Sequence, residues 1–285
     1  MDASRGRRRL PRRAGGDGAL ICDNHNHLVL TGDADAMVAA AAAAGIGQFA
    51  FAEHVFHLTD AIETNRYLAD CAVRWSEGPE ITVAGYLAAV GAADRRHPEV
   101  AVTVGIEFDF VPEVEGLADH TRELTLAHPW DVTLGSVHAL ADDRSIFEST
   151  DEVAPEEAWA DYHGRLLAAV GSGLFDVVTH PLRLVASKLE PPADLPDRLD
   201  ELAGAAASAG VALEVNGSDL RLARPLVEQL IAAVARRGAP VSLGSDAHRP
   251  RNVGSVLPAI ELLRAAGISE ALCFERREAK AEPLA

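Results

Sequence analysis

Nowhere in this 285-residue chain does an apolar run approach the ~20 residues that a membrane-spanning helix needs; even the alanine-rich stretch 34–44 is bounded by Asp33 and Gly45. The chain therefore reads as soluble, with no membrane partner. Cysteine is scarce too. Cys22, Cys71 and Cys273 are odd in number, far apart and without CxxC spacing, which argues against a disulfide framework or a thiolate zinc site. Buried, inert thiols in a reducing cytoplasm are expected. No glycine-rich phosphate loop follows the first strand-like run, which disfavours an open dinucleotide-binding sheet. Positive charge is short overall: the formal net charge is −17, and six Arg within residues 2–13 conceal a still more acidic remainder. Such a body is not expected to bind nucleic acid. The basic run itself lacks an apolar segment and soon meets Gly15-Gly16-Asp17-Gly18, so residues 1–18 are expected to form a solvated, disordered tail. No linker-like stretch divides 19–285, and nothing in the sequence reports an oligomeric state.

What is present is a repeated alternation. Strand-like runs at 19–23, 48–53, 100–107, 131–137, 176–179, 211–216 and 240–245 are short, apolar on both faces and rich in β-branched or aromatic residues. That is the pattern of parallel strands covered on both sides. Helix-like segments lie between them at 34–44, 61–75 continuing towards Val90, 117–127, 155–170, 195–209, 225–236 and 253–265, several of them ending at glycine. Seven alternations predict an α/β fold, a distorted seven-stranded (β/α)7 TIM-like barrel spanning 19–285.

The chemistry-bearing residues gather at the C-terminal ends of these runs. Asp23-Asn24-His25-Asn26-His27 puts two imidazoles on one side of an extended segment, with Asp23 on the same side as a candidate acceptor for a histidine N–H. Phe49-Ala50-Phe51-Ala52-Glu53-His54 ends a buried run in two ionisable groups, which belong at a cavity mouth because burying them unpaired is costly. His57, three residues on, reads as facing substrate or solvent. Glu107 can bridge two cations through its two oxygens; Asp109 is assigned a capping or ion-pair role. His138 and His180 each close an apolar strand, and Leu243-Gly244-Ser245-Asp246-Ala247-His248 offers an oxygen and a nitrogen donor two residues apart. Arg183 and Arg221 lie where forked guanidinium donors could clamp phosphate oxygens, and Glu214 or Asn216 ends the sixth strand where one of them lines the pocket.

Together DxHxH, EH, GIEFDF, DVTLGSVH, THP, LEVNGSDLR and LGSDAH resemble the polymerase and histidinol phosphatase (PHP) family, in its histidinol-phosphatase branch, from about Cys22 to the closing Phe274-Glu275-Arg276-Arg277. The resemblance implies two or three divalent ions (Zn, Fe or Mn) and phosphomonoester hydrolysis. It assigns a first cation to His25, His27, Glu107 and Asp246, a second to Glu107, His138 and His180, and a third to His54 and His248. Where the family commonly has one more histidine, six residues after the HxH pair, this chain has Asp33, a candidate oxygen ligand.

The implied catalytic residues are Glu107, Asp246 and His248, and the implied reaction is attack on phosphorus by a hydroxide held between cations. The expected substrate is a small phosphate ester: histidinol phosphate, giving L-histidinol and phosphate in histidine biosynthesis, or else a nucleotide or specialised-metabolite phosphate. Two further readings compete. A metal-dependent amidohydrolase also uses HxH but commonly has eight strands and a carboxylated lysine, whereas here seven strands are expected and Lys188 lies beyond its strand end. A noncatalytic metal-binding protein would not need eight intact ligands.

Overall fold

A computed structural model describes residues 20–61, 64–65, 80–141, 145–147 and 154–284. The basic tail, Cys71 and most of the helix expected over 61–75 lie outside the described residues. One sheet organises the rest. Its strands are β1 (Cys22–Asp23), β2 (Gln48–His54), β3 (Ala101–Asp109), β4 (Val132–Ser136), β5 (Val177–Val178), β6 (Ala212–Asn216), β7 (Val241–Gly244), β8 (Glu270–Glu275) and β9 (Glu278–Pro283), in sequential order. Every neighbouring pair from β1 to β8 is parallel; β9 returns antiparallel to β8. Past their formal ends, the chains leaving β1 and β7 also pair. Asn24 N–H donates to the Leu243 carbonyl, Asp246 N–H to His25 and His27 N–H to Ala247, at 2.7–3.0 Å.

All seven expected strands form, and the count of seven is corrected to nine. The two additions make a C-terminal hairpin whose last strand, Glu278–Pro283, is polar and almost wholly exposed. A charged edge strand gives no hydrophobic alternation to read. Its turn residues, Arg276 and Arg277, both have positive φ, and the turn is pinned by Arg277 Nη2 donating to Asp176 at 2.9 Å and Arg276 N–H donating to Asp131 at 3.0 Å.

Seven described α-helices accompany the sheet: α1 (Ala34–Ala43), α2 (Val83–Arg96), α3 (Leu117–Ala127), α4 (Pro155–Gly171), α5 (Leu195–Ala209), α6 (Gly217–Arg237) and α7 (Ala259–Ala265). Three differ from the expected bounds. The second, expected over 61–75 and on towards Val90, is described as a helix over Val83–Arg96 that Thr82 caps. The sixth starts at Gly217 rather than at Pro225, because Asn216 caps an extra turn that is kinked at Ala223, two residues before the proline. The seventh begins six residues late, after a short 3-10 turn at Pro250–Asn252. Among the described residues no helix is long and apolar enough to cross a membrane.

The period of two in the strands sorts the core into two parts. Phe49, Phe51, Val102, Ile106, Phe108, Leu213, Val215, Val241 and Leu243 join helix residues such as Met37, Val38, Tyr86 and Val90 in the large core. Their alternates Ala50, Ala52, Val132, Leu134, Val177 and Ala212 form a second cluster of strand residues only, on the other face of the sheet. Counting on by twos from the second set reaches His54, Ser136, His138, Glu214 and Asn216, and in β3 the residues alternate to the large core's Ile106 and Phe108 include Glu107. The polar site thus continues the strand-only face past the strand ends.

Cysteine needs a correction. Cys22 on β1 and Cys273 on β8, both buried, are joined in a disulfide with a Cα–Cα distance of 5.6 Å. They were expected to be separate inert thiols. A separation of 251 residues leaves no spacing signal; β1 and β8 stand far apart in the strand order, and they become neighbours only because the sheet curls round until the chain leaving β1 meets β7 and β8.

Candidate metal centre

Glu107 lies at the middle of the site. The β2–β3 register sets His54 directly beside it, and Glu107 Oε2 is 2.6 Å from His54 Nδ1, 3.4 Å from His25 Nε2 and 3.7 Å from His27 Nε2. Its other oxygen, Oε1, is 3.1 Å from His180 Nε2 and 3.7 Å from His138 Nε2, and accepts a short hydrogen bond from Ser136 Oγ. Asp246 Oδ1 lies 3.2 Å from His27 Nε2, 3.9 Å from His25 Nε2 and 3.7 Å from His248 Nδ1. The sequence-predicted residues His25, His27, His54, Glu107, His138, His180, Asp246 and His248 therefore meet in one place.

Three sets of three donors have all their ligand atoms within 4.8 Å of one another: His25, His27 and Asp246; His54, Glu107 and His138; His27, His54 and His248. The grouping departs from the expected one in that His54 sits with Glu107 and His138 as well as with His248. Two of the converging residues, His180 (φ 30°) and Asp246 (φ 52°), occupy the left-handed region that non-glycine residues rarely adopt. Backbone held in that region at a converging site points to function, since folding alone would relax it.

Behind the nitrogens that face Glu107 stands a ring of carboxylates. His25 Nδ1–H donates to Glu214 Oε1 at 2.8 Å, His138 Nδ1–H to Asp109 Oδ1 at 2.5 Å, and His27 Nδ1–H to Glu53 Oε1 at 3.4 Å. Each contact fixes the tautomer that leaves Nε2 for a cation. Glu53 also accepts from the backbone N–H of Leu28 and Val29 and from His57 Nδ1–H at 2.8 Å. Sequence reasoning named Glu53, Asp109 and Glu214 without giving them this task. The alternation within each strand was the available signal. Asp23, proposed as a histidine acceptor, instead accepts from Ser245 N–H at 2.8 Å, and burial lifts its pKa to about 6.

The charges suit cations. Burial alone would raise Glu107 and Asp246, but His54 and His25 hold Glu107 well below the usual carboxylate range, and Arg183 and His25 do the same for Asp246. Burial, with His27 nearby, pushes His54 down to about 4 and His248 to about 3, so both offer lone pairs at neutral pH. Burial would also lower His25, yet Glu214, Glu107 and Asp246 overrule it and hold that imidazole well above its ordinary value. His180 Nδ1 is buried without a hydrogen-bond partner, and Glu107 Oε2 and His54 Nδ1, also buried, meet only as a close ion-pair contact at 2.6 Å. Orphaned polar atoms are costly in a protein interior, and a divalent ion is the group this donor set would satisfy.

Asp33 does not join. It is exposed and caps α1, its Oδ1 accepting from Ala36 N–H at 2.9 Å, so the expected extra ligand is corrected to a helix cap. A cavity of about 430 Å³ opens above the cluster, and both expected arginines line it. Arg183 is buried, donating through Nε to Asp219 (2.6 Å) and through Nη2 to Asn216 (2.8 Å) and Asp246 (2.7 Å). Arg221 is exposed and donates to Ser218 Oγ at 3.2 Å.

The chain is similar to known proteins along most of its length. The profile of the PHP domain matches residues 24–218. A relative from Deinococcus radiodurans named "probable histidinol-phosphatase" is 30% identical over 250 residues, covering 82% of this chain and 88% of the relative. A "probable phosphatase" from Shewanella sp. (strain ANA-3) is 28% identical over 157 residues, 54% of this chain and 52% of its own. Among solved structures, the histidinol phosphate phosphatase of Lactococcus lactis, complexed with zinc, L-histidinol and phosphate, superposes with a TM-score of 0.73 at 20% identity, covering 91% of this chain and 98% of that one. At that identity the likeness is one of fold.

Proposed function

Because the chain belongs to the PHP domain family, we propose that it is a metal-dependent phosphomonoesterase whose substrate is histidinol phosphate, released as L-histidinol and phosphate. One observation carries this reading: seven donors from the ends of five other strands gather around the carboxylate of Glu107, beneath a cavity lined by two arginines.

His25, His27 and Asp246 would hold one divalent ion, Glu107 with His138 and His180 another, and His54 with His248 a third. Bound ions of this kind lower the pKa of water from ~15.7 towards 7 and neutralise charge on phosphoryl oxygens. The chain's own contribution is placement. Glu107, with one oxygen towards His25 and His54 and the other towards His180, spans the site and keeps its parts at fixed separation. Arg183, immobilised by Asp219 and Asn216, holds Asp246 and adds cationic charge to the wall, while Arg221 offers a second guanidinium at the mouth. Both favour a phosphate dianion.

The finer features fit the same reading. Hydrogen bonds between the chains leaving β1 and β7 support a distorted (β/α)7 barrel with the β8–β9 hairpin appended. The chain from residue 19 acts as one catalytic unit, in the cytoplasm, on a small-molecule ester.

Purified chain loaded with Zn, Mn or Fe and assayed for phosphate release against histidinol phosphate and a nucleotide panel tests the proposal. Turnover of histidinol phosphate above the panel is expected; negligible turnover of it with good nucleotide hydrolysis would discard the substrate, and no ester hydrolysis at all would discard the activity.

A further inference from the structure

Above the polar floor the cavity changes character. Leu30, Phe56, Phe147, Ala186 and Leu222 line it, and the only carboxylates among the described lining residues are Glu107 and Asp246, both turned to the metal centre. The collar is drawn from the connections after β1, β2, β4, β5 and β6. Leu30 and Leu222 are 45% and 55% exposed, two of the three large hydrophobic side chains so open among the described residues. Apolar surface left open around the mouth of a polar site is the mark of a surface that a ligand covers.

Its two aromatic rings differ in what they do. Phe56 is buried and stacks on His54 with centroids 4.5 Å apart and planes 15° from parallel, so that face serves to hold the imidazole. Phe147 is only partly buried. Its backbone is tied to the metal centre, because Ile146 N–H donates to the His138 carbonyl at 3.0 Å and Ala139 bridges to Ser145. The Phe147 ring stands 6.3 Å from that of His138, tilted by 30°. These contacts place it at the rim, one ring beyond a ligand that faces Glu107.

A phosphoryl group seated at Glu107 has its floor filled by imidazoles, so the ester oxygen and the alcohol it carries must point outwards along the collar. Among the described lining residues the collar presents the Phe147 ring, aliphatic groups and the Arg221 guanidinium, and no carboxylate to pair a cation. Such a wall recognises flat rings by stacking, and cationic rings by the negative face of the phenyl group. We propose that Phe147 is the specificity-determining residue of a leaving-group subsite that selects phosphate monoesters whose alcohol carries a flat ring. This rests on the phosphatase reading above and extends it to the class of leaving group.

The test uses the full, metal-loaded chain and three esters: histidinol phosphate, phenyl phosphate and glycerol phosphate. Phe147→Leu keeps the apolar bulk and removes the ring, and Phe147→Tyr restores it. The leucine variant is expected to raise KM for both ring-bearing esters about 5-fold or more while glycerol phosphate stays within about 2-fold, with the tyrosine variant near wild type. Equal changes for all three esters, or none for any, would overturn the subsite. If histidinol phosphate is inert but phenyl phosphate keeps its dependence on Phe147, the subsite stands and the substrate assignment falls; if wild type hydrolyses none of the three, both fall.

Discussion

The Nδ1–H of His25 donates to Glu214 across 189 residues of sequence, at 2.8 Å, and this one contact decides that Nε2 is the nitrogen facing Glu107 and Asp246. Replacing Glu214 by Ala frees the ring to rotate and to change tautomer. Metal affinity is expected to fall about 10- to 100-fold, read as metal lost on dialysis against a graded series of chelators. Full retention of metal would show that the contact is incidental.

Gly244 permits that contact. A Cβ at this position would lie within bonding range of Glu214 Oε1 and 2.7 Å from His25 Cβ, so no side chain fits without moving both. Gly244→Ala is expected to destabilise the fold by roughly 1–3 kcal/mol and to lose metal alongside. A variant with wild-type melting temperature and full metal content would contradict the packing described.

Metal loading should depend on pH through His27. Burial alone would lower its pKa, but hydrogen bonds to Asp246 and Glu53 lift it to about 9, so in metal-free protein the ring is protonated at neutral pH. A cation must displace that proton, and apparent affinity should rise from neutrality towards pH 9 with protons released on binding. The sign for stability of the metal-free fold is opposite: the contribution of this raised group is complete below the unfolded value of about 6.5 and is lost as pH climbs through about 9. Calorimetry in buffers of different ionisation enthalpy reads the proton release directly. Affinity that is flat between pH 6.5 and 9 would refute it.

Asp33→Ala separates a cap from a ligand. As a cap its loss costs about 1 kcal/mol and lowers the melting temperature slightly, leaving metal stoichiometry untouched. Loss of one ion per chain by elemental analysis would restore Asp33 to the metal centre.

The Cys22–Cys273 bond closes a loop of about 250 residues, for which the chain-entropy argument gives a stabilisation of up to roughly 5 kcal/mol. Cys273→Ser, or reduction under denaturing conditions followed by refolding with the thiols blocked, should lower the melting temperature by several degrees. Identical melting of oxidised protein and the serine variant would show that the two sulphurs do not act as a staple.

Much of the site was legible because its ingredients are local. A buried run that stops at His54, His138 or His180 marks a strand end by itself, and alternation along β3 puts Glu107 on the face opposite Ile106 and Phe108. The same counting reaches Glu214 and Asn216 on β6, but counting cannot say that Glu214 will stand behind His25 rather than bind a cation itself. Asp33 was read by its offset from the HxH pair, whereas its side chain answers to the unpaired N–H groups of the helix that starts one residue later. The C-terminal hairpin escaped notice because its outer strand is built from exposed charged and small residues.

The sequence by itself determined which elements form and which donor types end each strand, since hydrophobic runs and backbone stereochemistry act over a few residues. Only the tertiary structure decided which donors lie within reach of one another, which carboxylates stand behind them, that Arg183 is spent on Asp219, Asn216 and Asp246, and that Cys22 meets Cys273. Those choices depend on which strands lie side by side, and the order and twist of the whole sheet set that neighbourhood.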